Sequence, residues 1–74
     1  MNEVKFILVP EEDSWKSESN NKLYNIFWMQ GCPDIALERM LERDLGFLPK
    51  RGDIDALRYP KQYEIVVTER ERDV

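Results

Sequence analysis

Residues 32–49, CPDIALERMLERDLGFLP, hold a helix start, an apolar stripe and a helix stop in one run, and their reading decides the fold. Pro33 suits the first helical position, where its missing N–H would have no intrahelical partner and its φ is already set. Asp34 puts a negative charge in the first turn, at the favourable end of the helix dipole. Leu37, Met40, Leu41, Leu45 and Leu48 recur at i, i+3, i+4 and i+7 spacing, and Glu38, Arg39, Glu42 and Arg43 fill the opposite face. Gly46 supplies a left-handed position after the last turn, Phe47 folds back over Leu41, and Pro49 blocks continuation. The pattern predicts one amphipathic helix over residues 33–46.

Three strands surround it. Val4 to Val9 is a short β-branched and aromatic run ended by Pro10, with Val4, Phe6 and Leu8 on one face and Lys5, Ile7 and Val9 on the other. Residues 22–30 read as a second strand, in which Leu23, Asn25, Phe27 and Met29 alternate with Tyr24, Ile26 and Trp28 before Gly31 ends it. Residues 62–70 read as a third, with Tyr63, Ile65 and Val67 opposite Glu64, Val66 and Thr68. Residues 10–21 are polar and read as a mobile surface connection. Residues 47–61 read as a second connection, in which Asp53 caps a single turn from Ile54 to Tyr59, and residues 71–74 as a charged tail. The expected fold is α+β, a single two-layer β-β-α-β domain. Its three-stranded, mostly antiparallel sheet has order 2-1-3, with a right-handed crossover making the third strand parallel to the second and one helix on one face.

With 74 residues the chain has room for one core. Such a chain buries only about 60–65% of its unfolded surface, so association with a partner would relieve marginal stability. The composition, 42% hydrophobic with eight aromatics, is that of a folded protein. Eleven basic against fifteen acidic residues give a net charge of −4, which disfavours nucleic acid as a partner, since phosphate binding needs clustered cations. A single cysteine, no apolar run of membrane-spanning length, and Glu3 and Lys5 interrupting any leader pattern point to the cytoplasm.

The residues point away from catalysis. There is no histidine, and acid–base or nucleophilic chemistry at neutral pH draws chiefly on His, paired carboxylates or an activated Lys or Cys. Cys32 lies at a helix N-terminus, a position that can activate a thiol, but it has neither a base nor a resolving cysteine and reads as a small corner residue. Asp53-Ile54-Asp55 lacks the glycine and distal glutamate of a calcium loop, and Gly31, Gly46 and Gly52 are too scattered to cradle phosphate. No cofactor or metal is implied. Arg51-Gly52-Asp53 matches an integrin-binding tripeptide, a coincidence in a chain read as intracellular.

One helix covers one face of a three-stranded sheet, and the first two strands carry large apolar groups on both faces. An apolar patch rimmed by charge marks an association surface unless the 50–61 segment and Trp15 fold over it. Two of the three strands are edges, a second route to association. Trp15, alone in a polar connection, is a candidate interface anchor. On the helix, Glu38 with Glu42 and Arg39 with Arg43 form an acidic stripe beside a basic one, a pattern suited to charge-complementary docking or simply to a solvated face. The candidate partner-binding residues are therefore Trp15, Tyr24, Trp28, Arg39 and Arg43.

The strand-strand-helix-strand order in so short a chain resembles the general run of small phage or mobile-element proteins that bind and inhibit host enzymes. The resemblance is architectural, carries no motif, and implies surface occupation of a host enzyme complex. The leading expectation is thus a small non-enzymatic module that modulates or inhibits a protein partner. The alternatives are a homodimeric scaffold joined through its apolar sheet face, and a weak nucleic-acid binder using Lys50, Arg51, Arg58 and Lys61 with Tyr59 and Tyr63 as stacking platforms.

Overall fold

The alternation in the first strand sets the sheet. In the computed structural model, which describes residues 2–71, β1 spans Glu3–Val9 with Phe6 fully buried and Val4 and Leu8 partly so, while Lys5 and Ile7 face solvent. Pro10–Glu12 forms one 3-10 turn, and Asp13 takes a left-handed conformation (φ 49°) that returns its N–H to the Pro10 carbonyl at 3.1 Å. The chain thereby reverses into β2, Ser14–Ser17, which pairs antiparallel with β1 in the register Leu8 with Trp15 and Phe6 with Ser17. The expected mobile connection is half of a hairpin. Its β character was hidden because one apolar residue among Ser14, Lys16 and Ser17 makes no visible period.

A second reversal follows. Asn21 is left-handed (φ 60°), its N–H reaches the Ser17 carbonyl at 2.8 Å, and the Asn20 carboxamide accepts from Lys22 N–H. β3 is only Leu23–Asn25, antiparallel to β2. The strand expected over residues 22–30 ends there, because the Asn25 side chain accepts the Trp28 N–H at 2.9 Å and starts α1, Ile26–Gly31. Ile26 and Met29, three apart, turn inward, whereas Phe27 and Trp28 turn out. The stretch satisfies both a two-residue and a 3.6-residue period, and the cap decides between them.

α2, Asp34–Leu45, matches the expected helix within one residue at each end; Pro33 is its N-cap rather than its first residue. Gly46 closes it at φ 85°, donating its N–H to the Glu42 carbonyl at 2.9 Å, a conformation that disfavours any residue with a Cβ. Leu37 and Leu41 are fully buried and Phe47 packs into the same cluster. α3, Arg51–Arg58, has Lys50 as its N-cap, so it begins before Asp53 and is longer than the expected turn. The Asp53 carboxylate instead accepts the Thr68 N–H at 2.9 Å. β4, Glu64–Thr68, pairs antiparallel with β1, setting Val4 against Val67 and Phe6 against Ile65.

The class is α+β, with four strands in the order β3-β2-β1-β4 rather than three in the order 2-1-3. β1 is central and antiparallel to the last strand. Every pairing is antiparallel, so β3 and β4 run in opposite senses and the expected parallel relation fails once β2 is inserted. Three helices share one core with the inward residues of the sheet: Ile26 and Met29 of α1, Leu37 and Leu41 of α2, and Ile54 and Leu57 of α3 meet Phe6, Trp15, Tyr24 and Val67. Trp15 and α3 therefore thicken the covered face and leave the opposite face open. Of the expected charged tail, residues 72–74 lie outside the described residues.

Candidate interaction surfaces

Two of the five candidate partner-binding residues are core. Trp15 is fully buried, and its indole Nε1 donates to the Leu57 carbonyl at 2.9 Å, tying β2 to α3 across 42 residues of chain. Burial with a satisfied N–H is the usual state of tryptophan in a fold, and it removes Trp15 from any surface contact. Tyr24, opposite Trp15 on β3, is also buried, its ring 5.8 Å from that of Phe6. Its hydroxyl donates to Asp44 Oδ2 and accepts from Asn20 Nδ2, both at 3.0 Å. Burial raises its pKa from the ordinary 10 to about 12; the Asn20 bond opposes this, and the Asp44 bond and charge add to it.

The other three are at the surface. Arg39 and Arg43 project from α2, and Arg43 Nε lies 3.7 Å from Asp44 Oδ1, the carboxylate whose other oxygen holds Tyr24. Lys22 approaches the same Oδ1 at 3.6 Å. Asp44 thus joins Tyr24 to Arg43, but the hydroxyl end of this chain is a structural tie. No hydrogen bond or ion pair among the described residues links Trp28 to Arg39 or Arg43. Trp28 is 52% exposed and its neighbour Phe27 is 64% exposed, two large aromatics side by side on the outer surface of α1. Leu23, half exposed, lies two residues before the Asn25 cap. Phe27 was missed because strand alternation put it and Trp28 on opposite faces; a helical reading started from Asn25 puts both outside.

The open sheet face is mixed rather than apolar. One cross-strand row reads Leu23, Lys16, Ile7, Glu64, and the next sets Lys5 against Val66. Lys5 Nζ and Glu64 Oε1 pair diagonally at 3.6 Å. Each exposed aliphatic group is therefore bordered by a charged side chain, which limits the area an apolar partner could cover.

The basic set in residues 50–61 also shrinks. Arg58 is buried, with Nε donating to the Met29 carbonyl at 3.1 Å, Nη2 to the Cys32 carbonyl and Nη1 to Asp34 Oδ1. Its own carbonyl accepts from Gln30 Nε2 at 2.7 Å. This guanidinium clamps the end of α1 and the start of α2, and phosphate cannot reach it. Arg51-Gly52-Asp53 forms the first turn of α3, with Asp53 engaged by Thr68, so the tripeptide is not displayed on a loop. Cys32 is a partly buried free thiol between α1 and α2. Among the described residues no three His, Cys, Asp or Glu side chains converge as metal ligands, and no helix is long and apolar enough to cross a membrane.

No family model, curated protein or solved structure matches this chain.

Proposed function

We propose that this protein is a small non-enzymatic binding module that modulates a protein partner by covering part of its surface, with Phe27 and Trp28 as its central contacts. The observation that carries the reading is the adjacent exposure of these two rings on α1, whose other face is held in the core by Ile26 and Met29. Aromatic side chains offer large apolar area with few torsions to freeze, and tryptophan is prominent among residues that dominate binding energy. Covering a side chain of this size contributes about 1.5–3 kcal/mol. The Asn25 cap and the Arg58 clamp hold α1 in place before any encounter, which lowers the ordering cost of binding. Arg39 and Arg43, exposed on α2, suit a partner with acidic surface.

The homodimer reading draws less support, because the open sheet face interleaves Lys5, Lys16 and Glu64 with its aliphatic groups. Affinity capture from the source cell with the wild-type chain and with a Phe27→Ser/Trp28→Ser variant tests the proposal. The expected result is one stoichiometric partner retained by the wild type and lost with the variant, whose circular dichroism stays native. Equal retention by both, or no stoichiometric partner, would overturn it.

A further inference from the structure

The two edges of the sheet are not equally guarded. β3, at one edge, is three residues long and passes directly into α1. β4, at the other, is longer, and the direction of its backbone groups follows from its bonding to β1. Leu8 N–H donates to the Tyr63 carbonyl at 2.8 Å and Glu69 N–H to the Asn2 carbonyl at 3.0 Å. In an antiparallel ladder hydrogen-bonded pairs alternate with non-bonded ones, so Ile65 and Val67 bond to β1 while Glu64, Val66 and Thr68 aim their N–H and C=O outward. Thr68 obeys this: its N–H goes to Asp53 Oδ2 and its carbonyl accepts from Lys50 N–H at 3.0 Å. The bridge between Pro49 and Glu69 and the Arg70 N–H bond to the Leu48 carbonyl extend this cover. Residues 48–53 thus shield the far end of the β4 edge and stop there. No hydrogen bond among the described residues takes up the outward groups of Glu64 and Val66.

The unguarded stretch borders a groove of about 890 Å³ between β4 and α3. Ala56 and Ile65 supply apolar lining and Tyr59 forms a wall; Glu64 is paired with Lys5, and Asp53 and Asp55 still outnumber the one cation of the lining, Lys61. An edge with free donors and acceptors beside a side-chain groove is the arrangement that accepts an added strand, in which main-chain bonds give affinity and alternate side chains give selectivity. The negative balance selects the occupant. A second copy of this chain, with net charge −4, would bring its own Glu64 and Asp55 to the same edge.

We infer that the β4 edge and the α3 groove bind an extended basic peptide segment of another protein, which adds as a strand beside Glu64 and Val66. Its Lys or Arg side chains enter the groove toward Asp55, and the alternate aliphatic side chains lie beside the exposed Val66 on the other face of the sheet. The site lies at the β4 edge, opposite the β3 edge that leads into α1, and it includes neither Phe27 nor Trp28.

The test is a titration of the full ¹⁵N-labelled chain with two pools of N-acetylated heptapeptide amides, both alternating Val, Ile or Thr with charged residues, one basic (Lys or Arg) and one acidic (Glu). The basic pool is expected to shift the amide signals of Glu64 and Val66 and to slow their hydrogen exchange at least about tenfold, and the acidic pool to do neither. Val66→Pro removes an outward donor that β1 does not use, so the ladder survives, and it should weaken binding at least about tenfold. Asp55→Lys, on the exposed side of α3, should weaken binding comparably, and it carries the test if the proline variant does not fold. Equal response to both pools, no response to the basic pool, shifts confined to other residues, or unaltered affinity in Asp55→Lys would overturn the inference. So would a concentration-dependent dimer that Val66→Pro abolishes in the absence of peptide.

Discussion

Replacing Arg58 separates a structural cation from a binding cation. Arg58→Met keeps an unbranched stem of similar bulk and deletes three contacts. Two are bonds from a charged donor to the Met29 and Cys32 carbonyls, each of a kind worth about 1.5–3 kcal/mol. The Met29 carbonyl also accepts the Cys32 N–H at 3.2 Å, so it is not orphaned, which puts the combined loss at the lower end, about 3–4 kcal/mol. The third contact, to Asp34, adds little, because that carboxylate is 85% exposed and solvent-screened pairs are worth about 0.2–1 kcal/mol. At about 0.05–0.15 kcal/mol per residue, a 74-residue domain holds only about 4–11 kcal/mol in all. Urea unfolding followed by far-ultraviolet circular dichroism should therefore show Arg58→Met close to the limit of folding, with Asp34→Asn costing about 1 kcal/mol or less. A loss below about 1 kcal/mol for Arg58→Met would refute the assignment, and so would an equal loss in the two variants.

The two tryptophans report the inside and the outside separately. Trp28→Phe, leaving Trp15, should give blue-shifted emission that acrylamide barely quenches; Trp15→Phe should give readily quenched emission and cost about 2 kcal/mol through the lost Leu57 bond and the space left behind, and similar quenching in both would contradict the burial of Trp15. Tyr24 adds an alkaline limit. Its folded pKa of about 12 lies above the ordinary 10, so its stabilisation is complete below pH 10 and is lost as pH rises from 10 through 12, where the unfolded chain ionises first. The melting temperature should fall across that window, less steeply in Tyr24→Phe, and the last step of the tyrosinate absorbance titration should be missing from that variant.

The legible parts of the fold are those whose signals are complete within a few residues. The stripe from Leu37 to Leu45, the Gly46 stop and the alternation of Val4, Phe6 and Leu8 with Lys5, Ile7 and Val9 need no distant partner to be recognised, and α2, β1 and the α+β class follow from them. The stretch from Leu23 to Gln30 fits two periods at once, and a single Asn25 bond resolves it; the strand reading separates Phe27 and Trp28 onto opposite faces, so Trp28 is identified without its neighbour. Arg58, counted among surface cations, is drawn inward by two carbonyls that only the meeting of α1 and α3 presents to it.

By itself the sequence determined the amphipathic helix, the central strand and the lack of histidine, because side-chain period, capping chemistry and composition are local or additive properties. Only the tertiary structure decided that Ser14–Ser17 is a strand, that Trp15 is core, and that the β4 edge is covered at Thr68 and open at Glu64 and Val66. Each of those depends on groups brought together from far along the chain, Trp15 on Leu57 and Thr68 on Asp53. A strand edge is free or guarded only in relation to whatever the completed fold lays beside it.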